Sequence, residues 1–213
     1  MCGRYRNMQT WSDLHGALSQ FLETPQQNAL NLEPRQQVRP TQDALIVTTG
    51  EGGGVNVFSA RWWLIPWFHK GSVKEWKATT FNARAETVAT SRAYREAFKK
   101  RRCLVVADGW YEWMGPRGED TKRKQPWLFT ERNGSAIMFA GIWDTCETTD
   151  EGQVTSFAIV TQPAGSVLNT YHDRAPVVVQ GEDWARWLDT SANVADLLGP
   201  ESADRFIVEK SDI

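Results

Sequence analysis

The sequence predicts one α+β domain, and three observations carry that expectation. At 213 residues the chain suits one large domain or two small ones, and it holds no internal repeat, linker or low-complexity block that would divide it. Short runs rich in Val, Ile, Trp and Phe, bounded by glycine, proline and Asp-Gly, recur through its middle and read as strands. Apolar residues at helical spacing are confined to a few short stretches between and around those runs.

Thr10, with Asp13 three residues on, forms a helix start. Trp11, Leu14, Leu18, Phe21 and Leu22 then make an apolar stripe at helical spacing that should stop before Pro25. Residues 26–40 are polar and proline-punctuated, which predicts a long surface loop. Residues 44–49 and 55–60 predict two strands around the glycine-rich turn Gly50-Glu51-Gly52-Gly53-Gly54. The aromatic run Trp62-Trp63-Leu64-Ile65-Pro66-Trp67-Phe68 is broken by a proline that a sheet interior excludes, and core packing is its plain account. A helix is predicted over residues 91–102, its polar face carrying Arg92, Arg95, Lys99, Lys100, Arg101 and Arg102 as a solvated face would. Residues 103–107 read as a buried strand with Cys103 a small core side chain. Asp108-Gly109 reads as a turn, and Trp110-Tyr111-Glu112-Trp113 as the start of the return strand. Lys122-Arg123-Lys124 belongs to a hairpin loop before a strand at 127–130. Further strands fall at 136–143, 156–161 and 177–179. A short helix with Trp184, Trp187 and Leu188, a capped helix from Ser191 and the apolar Phe206-Ile207-Val208 close the chain.

Composition narrows the function classes. Hydrophobic content of 41% with 23% charged residues is that of a soluble globule. No apolar run is long enough to span a bilayer and the polar N-terminus is no signal peptide, so no membrane association and a cytoplasmic protein are expected, or a nuclear one for a eukaryotic source. Cys2, Cys103 and Cys146 are odd in number and widely separated, which argues against a disulfide framework or a structural zinc site. The net charge of −2 excludes a global basic signature, leaving any nucleic-acid contact to local patches. The chain carries 11 tryptophans, more than its core needs, so some are available for stacking.

The residues richest in chemistry begin at the N-terminus. Methionine removal needs a small second residue, and Met1-Cys2-Gly3 offers one. It would leave an α-amine and a thiol on one skeleton, with ordinary pKa values of about 8 and about 8.5. Such a 1,2-aminothiol traps aldehydes: the amine forms an imine and the thiol closes a thiazolidine on the same carbon. Acyl transfer by a plain N-terminal nucleophile is the other chemistry open to it, and position 2 without any role remains the simplest reading of three residues alone. A strand period of two puts Glu112 on the face of Trp110, with Tyr111 and Trp113 opposite. A carboxyl among indoles has its pKa raised and becomes a general acid, unless it reaches water at a strand edge. His172, one of three histidines with His15 and His69, lies in a turn-like segment where an imidazole can shuttle protons or serve structurally. Asn82 can hold an oxyanion, a hydrated aldehyde or an amine, or simply cap a turn. Arg84 and Arg174 are of the type that grips phosphates or decorates a surface.

Together, Met1-Cys2-Gly3-Arg4, Asn82-Ala83-Arg84-Ala85-Glu86-Thr87, Ala107-Asp108-Gly109-Trp110-Tyr111-Glu112-Trp113 and His172-Asp173-Arg174-Ala175-Pro176 resemble the SRAP family, the SOS response-associated peptidase-like proteins. The resemblance runs from residue 2 to about residue 188. It implies a single domain over residues 1–213 with a β-rich pseudo-barrel core and peripheral helices. It also implies a monomer that needs no cofactor and no metal, and is nucleoid-associated when bound to DNA. The implied activity is on abasic sites in single-stranded DNA: the mature N-terminal Cys2, exposed by autocatalytic loss of Met1, forms a thiazolidine with the ring-opened sugar and leaves a protective crosslink. Carried across motif by motif, Asn82 would orient the reacting groups. Glu112 would act as general acid and base in opening the sugar and closing the ring, and His172 would assist imine formation and reversal. Arg84 and Arg174 would grip the flanking phosphates, while Trp67 and Phe68 would stack on or wedge against bases near the kinked lesion, as single-strand binders do.

The chain departs from that pattern at three places. Gln36-Gln37-Val38-Arg39-Pro40 replaces Tyr-Asn-x-Ala-Pro, Trp63 replaces the glycine of Trp-Gly-x-x-Pro, and the Val-Ser segment near the C-terminus is not evident, which marks a divergent or shortened member. Rival readings are an N-terminal-nucleophile glutamine amidotransferase, a Cys-His-Asn peptidase built from Cys2, His172 and Asn82, and a non-catalytic single-strand-binding module.

Overall fold

Apolar side chains on both faces of the middle strands dictate the layering. The computed structural model describes residues 2–23, 30–50, 54–114, 125–165, 168–199 and 205–213. In chain order its elements are β1 (Tyr5–Asn7), α1 (Trp11–Leu18), β2 (Arg35–Val38), β3 (Asp43–Thr49), β4 (Val55–Trp62), β5 (Asn82–Arg84), α2 (Arg95–Lys100), β6 (Arg102–Ala107) and β7 (Gly109–Met114). They continue with β8 (Gln125–Glu131), β9 (Ile137–Thr148), β10 (Gly152–Pro163), β11 (Arg174–Pro176), β12 (Val178–Val179), α3 (Trp184–Leu188) and β13 (Phe206–Lys210).

Two sheets result. One runs β13-β8-β7-β1-β2; the other runs β11-β10-β4-β3-β6-β9-β12, with β5 added beside β10. Because β10 pairs with β9 as well as β4, five strands of the second sheet close into a ring, the barrel at the centre of this α+β fold. Strand β6 explains why both faces must be apolar. Its Cys103, Val105 and Ala107 pack with Tyr5, Trp110 and Phe129 of the first sheet, while Leu104 and Val106 pack with Leu14 and Leu18 of α1 and Trp187 of α3. Every residue of β6 is buried, as a strand covered on both sides requires.

Several elements differ from the sequence expectation, each for a physical reason. Strand β6 and β7 do not form a hairpin. At Asp108 the chain crosses from one sheet to the other, the Asp108 carboxylate accepting from Arg6 Nε (2.9 Å) and Met8 N (3.2 Å). The expected helix over 91–102 contracts to α2, and Arg102 leaves the solvated face altogether. It opens β6, is buried, and donates from Nε to Trp187 O (2.7 Å) and from Nη2 to the Asp189 and Ala192 carbonyls, satisfying the C-terminal end of α3. Part of the loop expected over 26–40 is strand β2, which earns its place by pairing with β1 despite polar side chains. From Ser191 onward the described chain forms a 3-10 turn at Ala195–Leu198 in place of an α-helix. The strand expected at 177–179 is β12 at Val178–Val179, paired with β9, and a separate strand β11 precedes it and pairs with β10. Phe21, expected in the α1 stripe, lies past the helix end and is exposed. Pro25, residues 51–53 of the glycine turn and Lys122-Arg123-Lys124 lie outside the described residues. No helix among the described residues is long and apolar enough to cross a membrane.

Gly109 marks the crossing between sheets. A Cβ there would stand 2.8 Å from the Phe129 carbonyl oxygen and 2.9 Å from Leu128 Cδ1, inside the β7–β8 ladder. Gly109→Ala is expected to lower unfolding free energy by about 1–3 kcal/mol, the range for overpacking. Urea denaturation checks this; a change within experimental error would mean that β8 yields freely at this point.

Candidate active site

The N-terminal segment is woven between two strands before it reaches the site. Tyr5 pairs with Val38 of β2 and Trp110 of β7, Arg4 O accepts from Tyr111 N (2.9 Å), and the Tyr111 hydroxyl donates to Gln36 O (3.1 Å). Gln37 receives Arg4 Nη1 (3.0 Å) and Arg39 Nη2 (2.8 Å) on its Oε1, and the Arg4 guanidinium lies 4.7 Å over the Trp113 ring. The Gln36-Gln37 replacement therefore braces the N-terminal strand through its own hydrogen bonds. Trp63, the second departure, donates from Nε1 to Ala78 O (3.1 Å) and packs on Phe81.

Cys2 is carried by this strand into the core between the sheets, where it is fully buried. Strand β5 pairs in parallel with β10, Asn82 opposite Ile159, which aims alternate side chains of Asn82-Ala83-Arg84 to one side. From there Asn82 Nδ2 donates to the Cys2 carbonyl at 2.7 Å, and its buried Oδ1 has no hydrogen-bond partner among the described residues. The Tyr94 hydroxyl fixes the Asn82 backbone carbonyl at 3.0 Å.

Glu112 and Trp110 share the inner face of β7, as strand periodicity predicts, and Glu112 is 4% exposed. Burial raises its carboxyl pKa to about 7 against the pull of the N-terminal ammonium, and the negative charge of Asp173 adds to the rise. Burial pushes the Cys2 thiol far above its ordinary value, and the neighbouring Glu112 carboxylate adds to the effect. The thiol and the carboxyl thus sense one another across the core.

His172 faces two partners at one atom. Its Nδ1 accepts from Arg174 N (2.9 Å) and lies 2.7 Å from Asp173 Oδ1. These contacts demand opposite protonation of Nδ1. The contact with the Arg174 N–H suits a ring whose proton is on Nε2, and the contact with Asp173, whose side chain is 81% exposed, suits a ring protonated on Nδ1. His172, Asp173, Arg174, Arg84 and Glu86 line an open cleft of about 460 Å³. Arg84 is exposed there. Arg174 is not free: both terminal nitrogens bond the Glu86 carboxylate, and Nη2 also donates to Thr161 O at 2.6 Å.

Trp67 and Phe68 are not among the residues lining that cleft. Trp67 is 52% exposed, its backbone N–H held by Asp144 Oδ2 at 3.0 Å, while Phe68 is half-buried against Trp76 and beneath the Arg92 guanidinium at 5.0 Å. The partners missed by sequence reasoning are Glu86, Asp173, Thr161 and Tyr94. The first two stand inside the quoted motifs, but nothing local reveals that Glu86 pairs with Arg174 or that Asp173 meets His172. A larger cavity of about 690 Å³, bounded by α1 and Arg205, holds none of the candidate residues. Among the described residues no group of three or more His, Cys, Asp or Glu is arranged for a metal.

The family model for SOS response associated peptidase (SRAP) matches residues 1–210. The abasic site processing protein YoqW of Bacillus subtilis (strain 168) is 28% identical over 210 residues, spanning 96% of this chain and 89% of YoqW. The abasic site processing protein YedK of Escherichia coli (strain K12) is 31% identical over 192 residues, spanning 88% of this chain and 79% of YedK. A crystal structure of a Bordetella bronchiseptica protein matches with a TM-score of 0.82 at 21% identity over 100% of both chains, a likeness of fold.

The Glu112 pKa makes a statement about stability. A carboxyl raised from 4.5 to about 7 on folding binds its proton more tightly in the folded state. Its stabilising contribution is then complete below pH about 4.5 and is lost as pH rises through about 7. The stability of wild type relative to Glu112→Gln is expected to fall over that window by on the order of 3 kcal/mol. Denaturant titrations at a series of pH values measure it; a difference independent of pH would mean that Glu112 titrates as an ordinary surface carboxyl.

Proposed function

The chain belongs to the SOS response associated peptidase family, and from that footing we propose that it captures abasic sites in single-stranded DNA through a thiazolidine on the mature Cys2, after hydrolysis of the Met1–Cys2 peptide bond. The observation that carries this reading is the pairing of Asn82 with the Cys2 carbonyl beside a buried, protonatable Glu112. It also accords with the names of the relatives, which are abasic site processing proteins.

The chemistry follows from those groups. The neutral α-amine of Cys2 adds to the C1′ aldehyde of the ring-opened sugar, giving a carbinolamine that loses water to become an imine. The thiol then adds to the imine carbon, its proton passing to nitrogen, and the five-membered ring closes. A Glu112 carboxyl with a pKa of about 7 can protonate the sugar ring oxygen as it opens and the leaving hydroxyl as the imine forms, then relay the thiol proton to the nitrogen. His172 is the second proton carrier, assisting imine formation and its reversal. Asn82 holds Cys2 through its carbonyl, and its unpartnered buried Oδ1 is an acceptor suited to the α-amine. Arg84 meets a flanking phosphate from its exposed position, Arg174 does so when freed from Glu86, and exposed Trp67 with Phe68 offers a stacking surface for bases near the lesion. The protein acts as a monomer without a cofactor in this reading.

Burial of the thiol favours this chemistry over acyl transfer. A protease or amidotransferase nucleophile works as a thiolate, and the Cys2 thiol is pushed away from that form. An imine is electrophilic enough to accept the thiol with concerted transfer of its proton.

Processed protein mixed with a single-stranded oligonucleotide bearing one abasic site is expected to give an adduct that survives a denaturing gel, and Cys2→Ala none. Glu112→Ala is expected to slow adduct formation by about 100-fold or more, the lower range for loss of a general acid–base, with a far smaller effect on reversible binding. An equally stable adduct from Cys2→Ala would rule out the reading, and parallel loss of rate and binding would make Glu112 structural.

A further inference from the structure

Two acidic residues of the cleft have no part in the chemistry above. Glu86 and Asp173 stand among Arg84, His172 and Arg174, so that with a neutral imidazole two positive charges face two negative ones. A cleft suited to the phosphates of a DNA strand therefore carries no net charge, in a protein whose total is −2. The balance is specific. Arg174 gives both terminal nitrogens to the Glu86 carboxylate in a fork-on-fork pair, the geometry an arginine otherwise offers a phosphate. Its side chain is 12% exposed against 47% for Glu86, so the carboxylate is the outer partner and the guanidinium the inner one, held from behind by Thr161 O. The bond to Arg174 holds the Glu86 carboxyl below its ordinary pKa, which keeps it anionic at neutral pH.

Building on the proposed capture of single-stranded DNA, we propose that Glu86 is an internal counter-anion that sets the reversible affinity for single strands by occupying the place of a phosphate on Arg174. A strand entering the cleft gains Arg174 only by displacing Glu86. The displacement costs the same for damaged and undamaged strands, so it lowers all reversible binding alike. Only an abasic strand recovers the loss, because its covalent bond to Cys2 does not depend on the reversible affinity once formed. Glu86 thus keeps the protein off the undamaged single strand, which is in large excess, and leaves discrimination to the covalent step.

Glu86→Gln tests this directly, since the amide keeps one hydrogen bond to Arg174 and removes the charge. Binding is followed by fluorescence anisotropy with two single-stranded oligonucleotides, one undamaged and one bearing a tetrahydrofuran abasic analogue that cannot form the adduct. The variant is expected to bind both more tightly at low salt, with a slope of log affinity against log salt steeper by about 0.7 for one more phosphate neutralised, so that its advantage shrinks about threefold between 50 and 200 mM salt. Glu209→Gln, which removes the same charge from the exposed end of β13, controls for net charge and is expected to leave the slope unchanged, as is Glu86→Asp, which keeps the carboxylate. Thermal melting by circular dichroism confirms that each variant is folded. Equal or weaker binding by folded Glu86→Gln, in a protein whose wild type forms the abasic adduct, overturns the gate alone and makes Glu86 a scaffold for Arg174. A wild type that takes up neither strand and forms no adduct overturns the capture reading and the gate with it.

Discussion

The hydrogen bond from Asn82 Nδ2 to the Cys2 carbonyl is the contact on which the geometry of the site depends. It joins the two sheets at the point where the chain has barely begun. Cys2 arrives on the strand held between β2 and β7, and Asn82 on the short β5 held beside β10, so a 2.7 Å contact requires both registers to be correct at once. Leaving that buried carbonyl unpaired would cost about 1–3 kcal/mol. The price is set against a reactive residue whose position would otherwise be the frayed end of a chain.

Around that contact the molecule keeps its charges short-ranged. Arg174 is neutralised by Glu86, Arg101 by Asp144 and Arg6 by Asp108, so cations gather without producing a broad positive field. Recognition in such a protein rests on groups at close range, and its association with an anionic polymer receives little help from long-range steering. Burial likewise outweighs the pull of the N-terminal ammonium at Glu112 and lifts its carboxyl to about 7.

Much of the fold was legible in the sequence because sheet periodicity is strict. The alternation of Trp110 and Glu112 against Tyr111 and Trp113 assigned the inner face of β7 correctly, and the all-apolar Cys103–Ala107 run declared a strand covered on both sides. What stayed hidden was long-range. An Asp-Gly pair marks a sharp change of direction, and nothing in it tells a hairpin from a crossing between sheets. Arg102 looked like the end of a basic helix face because its partners, the Trp187 and Asp189 carbonyls, lie more than eighty residues away. Strand β2, with its Arg-Gln-Gln, has no apolar alternation and exists through its pairing with β1. At the site, Asn82 meets Cys2 and Arg84, His172 and Arg174 share one cleft, while Trp67 and Phe68 lie outside that cleft and the pairing of Glu86 with Arg174 depends on a side-chain geometry that spacing alone does not carry.

The central claim is that Cys2 acts with amine and thiol together, and the most direct measurement is the mass and thiol reactivity of the N-terminal peptide recovered from a protein–DNA adduct. The account predicts the peptide mass plus the sugar remnant less one water, beginning at Cys2, with no alkylation of its sulfur because both nucleophiles are bound in the ring. A Cys2 thiol that still alkylates, or a sugar attached to a lysine, would contradict it.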